Sequence, residues 1–118
     1  MELDELREVL LAKPHATEDS PFGEDTLAYR IDGRIFAFLG IEWIPLRVNL
    51  KCDPDRVHEL RDSYPDGILP GYYADKKRWN LVMLDGSVPQ ALVSELIDHA
   101  FDLVVAKLTR KRRVELGL

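Results

Sequence analysis

The chain has one cysteine, Cys52, in 118 residues, so no disulfide can close within it. No apolar run approaches the roughly 18 residues that a membrane-spanning helix requires. The opening Met1-Glu2-Leu3-Asp4-Glu5 is acidic, where a secretory leader would be basic and then apolar. These absences predict a soluble, cytoplasmic protein with no membrane partner. Chemical signatures are missing as well. There is no glycine-rich phosphate loop, no zinc-type pairing of cysteines and no His-Glu-x-x-His, so no cofactor is expected. The absences favour a binding protein over an enzyme.

A dominant basic field, the usual footprint of a nucleic-acid binder, is also lacking: the net charge is −5 and the isoelectric point is near 5.2. The charge is unevenly spread, however. Residues 1–33 carry nine acids against three bases, whereas residues 105–118 carry five bases against one acid.

What is present fits one ordinary globular domain over residues 1–118, with 46% hydrophobic and 31% charged residues. Leu3, Leu6, Val9 and Leu10 repeat at helical spacing ahead of Pro14, predicting a first helix over residues 2–12. Residues 15–25, with Pro21-Phe22-Gly23, read as a loop. Asp32-Gly33 then separates two apolar runs and suits a type I′ hairpin turn, in which both turn residues need positive φ. That register would set Tyr29 opposite Phe36 and Leu27 opposite Phe38. Leu46, Val48 and Leu50 alternate with Arg47, Asn49 and Lys51, predicting a strand with one buried and one wet face.

Asp53-Pro54 opens a short helix with Val57, Leu60 and Tyr64 as its inner stripe. A loop rich in proline and glycine follows, and residues 79–84 form a further strand. Ser87 and Gln90 have capping-box spacing ahead of a long apolar-faced helix that carries the basic tail. The predicted order is α-β-β-β-α-β(-β)-α, an α+β fold with a mostly antiparallel sheet packed with helices.

Several side-chain groups could carry function, each beside a plainer explanation. His15, Glu18 and Asp19 could hold a divalent metal, but they fit a solvated polar loop better. Cys52, beside a helix start, could be an activated thiolate or a buried structural residue. Lys76-Lys77-Arg78-Trp79 sets three cations before an indole, suited to phosphate contact and base stacking, or to a charged turn whose tryptophan is core. Lys107, Arg110, Lys111, Arg112 and Arg113 exceed what favourable interaction with a helix C-terminus calls for. Finally, Ile41, Trp43 and Ile44 lie in an unusually apolar link. If exposed, they form a contact patch for another protein or for a second copy of this chain. If the link folds back, they are core.

Taken in order, these segments resemble the MmcQ/YjbR family of small bacterial proteins. The resemblance rests on Glu18, Pro21-Phe22-Gly23, Gly33-Arg34-Ile35-Phe36-Ala37, Asn49-Leu50-Lys51, Pro70-Gly71-Tyr72, Lys76, Lys77, Trp79, Asp98 and Asp102-Leu103-Val104 with the basic tail. Two positions depart from it: Tyr73 stands where the family often has histidine, and Ala100 where it often has serine. The resemblance implies an α+β fold similar to type III secretion chaperones, DNA binding through a double-wing arrangement, and no enzymatic activity. On that reading Lys51, Lys76, Lys77 and Arg78 supply phosphate contacts and Arg110, Lys111, Arg112 and Arg113 an accessory patch, while Tyr72 and Trp79 are candidate stacking residues. The alternative is a protein-interaction or chaperone-like module, homodimeric if Ile41, Trp43 and Ile44 meet a second copy.

Overall fold

In the computed structural model, which describes residues 1–118, the Asp32-Gly33 turn sets the sheet. Asp32 and Gly33 both take positive φ, 50° and 83°, the type I′ geometry whose twist matches the flanking strands. They join β2 (Thr26–Ile31) to β3 (Arg34–Gly40) as an antiparallel hairpin. The expected register holds for Ile31 with Arg34 and Arg30 with Ile35, then slips: Tyr29 pairs with Ala37, Ala28 with Phe38 and Leu27 with Leu39. Phe36 is the extra residue of a β-bulge, which puts successive residues Phe36 and Ala37 on one face and turns Phe38 to the other.

Further strands extend the hairpin on both sides. β1 (Ala16–Asp19) pairs with β2, so residues 15–25 are not all loop, and β4 (Arg47–Lys51) pairs with β3. Next to β4 lies β6 (Trp79–Met83), and β5 (Ile68–Pro70) closes the far edge inside the expected proline- and glycine-rich loop. The result is a six-stranded antiparallel sheet in the order β1-β2-β3-β4-β6-β5.

The helices α1 (Leu3–Leu11), α2 (Pro54–Ser63) and α3 (Gln90–Lys107) pack on one face of this sheet. Their apolar stripes, including Leu6, Leu10, Val57, Leu60, Val93, Ile97, Ala100 and Val104, meet Tyr29, Phe36, Leu39, Val48, Leu50 and Val82 in one core. Asp53 caps α2 as expected, accepting a hydrogen bond from the Asp55 amide at 2.9 Å.

Three further expectations need correction. Ser87 does not cap α3, because Pro89 occupies the cap position and the Ser87 hydroxyl is drawn to Asp85. The basic tail does not continue α3. Leu108 is buried in extended conformation, and Thr109 caps a separate helix, α4 (Arg110–Leu116), by accepting from the Arg112 amide at 3.1 Å. Arg110 and Lys111 therefore stand in a first turn, where the helix dipole disfavours cations and does not explain them. The outward face of β4 is also not uniformly wet, since Asn49 is fully buried there.

Candidate functional site

The second face of the sheet carries no helix, and short loops cover it only in part. Phe38, Asn49, Leu81, Lys51 and Trp79 share this face, because Phe38 is paired with Asn49, Asn49 with Leu81 and Lys51 with Trp79. Ala28 and Leu81 are buried there yet lie outside the helix-side core. The cover comes from aromatic rings on three loops. Phe22 meets Phe38 edge-on with centroids 5.8 Å apart, and Trp79 meets Phe38 at 5.4 Å from the other side. The Trp43 indole lies over Gly40, where a Cβ would collide with it, and meets Tyr72 at 5.6 Å. Tyr73 leans on Tyr72 at 4.4 Å.

Between these rings opens a pocket of about 360 Å³ lined by Phe22, Thr26, Phe38, Trp43, Tyr72 and Tyr73. Its walls are aromatic and several are wet: Phe22 is 61% exposed, Tyr72 47% and Tyr73 90%. Arg47 sits over the Trp43 ring at 5.0 Å. Asn49 anchors one wall by accepting a hydrogen bond from the Tyr72 amide at 2.8 Å, while its buried Nδ2 has no partner. Open, aromatic and lightly polar, the pocket suits a flat unsaturated ring that can stack.

One loop, residues 71–78, carries two of these rings and three cations. It crosses from β5 to β6, and Arg61 of α2 fixes its base. The Arg61 guanidinium donates to the carbonyls of Lys76 and Trp79, the latter at 3.1 Å, and to Asn80 Oδ1 at 2.7 Å. A Cβ on Gly71 would come within 2.7 Å of the Trp79 Cβ, so only glycine lets the loop lie this close to the strand. The side chains of Lys76 and Lys77 are exposed and form no ion pair, whereas Arg78 is paired with Asp75 at 2.7 Å.

The remaining expected site residues divide sharply. Trp79 is half-buried, its ring set edge-on against Phe38. Trp43 folds back into the aromatic layer, yet Ile44 beside it is 91% exposed and Ile41 is 36% exposed. In α4, Arg110 and Lys111 are exposed and unpaired. Arg112 is bound to Asp32 and Glu115, and Arg113 is half-buried with its Nε orphaned. Lys51 is half-buried, and its ammonium is held below its ordinary value by burial first and then by the positive charges of Lys107, Arg34 and Arg78.

The residues considered for metal or thiol chemistry are engaged elsewhere. Glu18 accepts from Arg7 at 2.8 and 3.1 Å and from the Tyr29 hydroxyl at 2.6 Å. Asp19 pairs with Arg30, and His15 bonds the Leu116 carbonyl. No three His, Cys, Asp or Glu side chains converge as a metal site requires. Cys52 is 3% exposed, and burial pushes its thiol up to about 11, away from a reactive thiolate. No helix is long and apolar enough to cross a membrane. Sequence reasoning missed Phe22, Phe38, Tyr73, Arg47 and Arg61 as parts of one site.

The sequence model of the YjbR family matches residues 11–103. The chain belongs to the YjbR family. Among its relatives, the uncharacterised protein YbdF of Escherichia coli O157:H7 is 34% identical over 100 residues, which covers 82% of this chain and 80% of YbdF. The uncharacterised YjbR of Escherichia coli K12 is 28% identical over 114 residues, covering 96% and 95% of the two chains. The crystal structure of Deinococcus radiodurans protein DR2400, of the domain family DUF419, superposes with a TM-score of 0.94 at 42% identity, covering 99% of this chain and 88% of that one. A Pseudomonas syringae protein superposes with a TM-score of 0.73 at 25% identity, covering 87% and 98%. The α+β fold expected from the residues is thus the fold of this YjbR-family chain and of its solved relatives, and none of these relatives carries an enzymatic name.

Proposed function

We propose that this YjbR-family protein is a weak nucleic-acid-binding module that takes single-stranded segments on the open face of its sheet. A base enters the aromatic pocket against Tyr72 and Tyr73, and neighbouring phosphates run past Lys76 and Lys77. The observation that carries the reading is the loop 71–78, which lines an open aromatic pocket with two exposed tyrosines and carries two exposed, unpaired lysines a few residues on. Base stacking on an aromatic is tolerant of sequence and worth about 1–3 kcal/mol per base. Phosphate contacts add affinity without sequence information. With a net charge of −5 the cationic field is a local one, so binding is weak and depends on salt.

The test is fluorescence anisotropy with labelled single- and double-stranded DNA and RNA across a salt series. The reading expects preference for single strands, together with a salt slope that falls by about 1.4 when both lysines are replaced, at roughly 0.7 per phosphate contact. Equal binding by the Lys76→Ala/Lys77→Ala variant, or none at low salt, refutes it.

A specific observation also favours a protein-contact reading. Ile44, 91% exposed beside the exposed Ile41, is an apolar projection at the rim of the same face. Sedimentation of the wild type and of Ile44→Asp tests self-association there. A concentration-dependent dimer abolished by the substitution would support it, and a monomer at all concentrations would remove it.

A further inference from the structure

A second cluster of cations lies where the β2–β3 hairpin and the α3–α4 junction meet. Its cleft, about 360 Å³, is lined by Asp32, Arg34, Lys107, Leu108, Thr109 and Arg112. The chain builds it from termini: Arg34 opens β3, and Lys107 is the last residue of α3 before Leu108 breaks the helix. Both carboxylate oxygens of Asp32, the one acid on the cleft wall, accept from Arg112, at 2.9 and 3.1 Å. Arg34 and Lys107 form no ion pair.

Two unpaired cations thus line one cleft, and the single carboxylate on its wall is already neutralised by Arg112. We infer that Arg34 and Lys107 form a binding site for a phosphate group, separate from the aromatic pocket. Arg34 supplies a planar fork suited to two phosphate oxygens, and Lys107 supplies a point charge. A phosphate reaches such a site from either of two sources, the backbone of a strand or a free phosphorylated small molecule. Lys51 lies on the open face opposite Trp79, so a strand bound at the aromatic pocket could continue towards the cleft. The inference does not depend on that path.

The experiment is amide-resolved NMR titration of the full chain with inorganic phosphate, pyrophosphate and a 5′-phosphorylated oligothymidine, each against sodium chloride of equal ionic strength. Shifts centred on Arg34, Lys107 and Thr109 are expected. In Arg34→Ser/Lys107→Ser, both exposed positions, affinity falls at least tenfold while the remaining spectrum stays that of a folded chain. Saturation by inorganic phosphate or pyrophosphate alone identifies a free phosphate as the source, whereas response to the oligonucleotide only identifies a strand. Repeating the titration on Lys76→Ala/Lys77→Ala separates the two proposals. Persistence of the cleft shifts supports this site even if strand binding at the pocket fails. No localised shifts with any of the three probes, or shifts unaltered by the double substitution, overturn it.

Discussion

At the scale of single residues, Asn49 and Glu18 show how polar groups are placed to hold structure in position. Asn49 occupies a fully buried spot on the open face and fastens the Tyr72 amide. Asn49→Ala should cost about 1–2 kcal/mol, in the range of a lost buried hydrogen bond. It should also weaken oligonucleotide binding, because Tyr72 loses its anchor. Urea denaturation paired with anisotropy reads both effects, and normal affinity in a destabilised variant would separate Asn49 from the site. Glu18 is different, since Arg7 first and then the Tyr29 hydroxyl hold its carboxyl below the ordinary value of 4.5. A depressed folded value means that the stabilisation is present above the unfolded value and lost as pH falls through the folded one. Glu18→Gln should therefore be less stable than wild type at pH 7, with the difference closing below about pH 4 as the wild-type carboxyl protonates. Urea midpoints at a series of pH values check this.

At the scale of elements, the site depends on how loops are held against strands. Gly40 ends β3 directly beneath the Trp43 indole. Gly40→Ala should displace that ring, shift tryptophan emission to longer wavelength and weaken base binding, while Gly33→Ala at the distant hairpin turn should leave the pocket intact. At the same hairpin, Asp32→Asn keeps a residue that accepts positive φ and releases Arg112 into the cleft. Phosphate should then bind more tightly, by up to about fivefold, equivalent to the roughly 1 kcal/mol of a surface charge pair. The NMR titration measures it.

These elements also mark what could be read from the sequence. Asp32-Gly33, Asp53-Pro54 and the alternation through Val48 and Leu50 announce local structure through local chemistry, and the structure bears them out. β1 is hidden because Ala16-Thr17-Glu18-Asp19 is polar and becomes a strand only through pairing with β2. The bulge at Phe36 hides the true facing of Phe38, since an extra residue reverses every side chain beyond it. α4 had a readable signal in Thr109, a good cap residue at the break. The aromatic pocket had none. Its rings come from positions 22, 38, 43, 72 and 73, and only the folded sheet brings them together.

At the scale of the whole molecule, an acidic chain carries two cationic places, the loop 71–78 and the hairpin cleft, on a sheet covered by helices on one side only. Sheet order also decides what stands at the borders. β1 and β5 flank the sheet with four and three residues each. Glu18 and Asp19 put charge on the first border, and Pro70 ends the second with a residue that has no amide hydrogen to donate. Short borders broken by charge and proline offer little template for another strand. An exposed aromatic surface can therefore be carried at high protein concentration without neighbouring molecules joining edge to edge into fibrils.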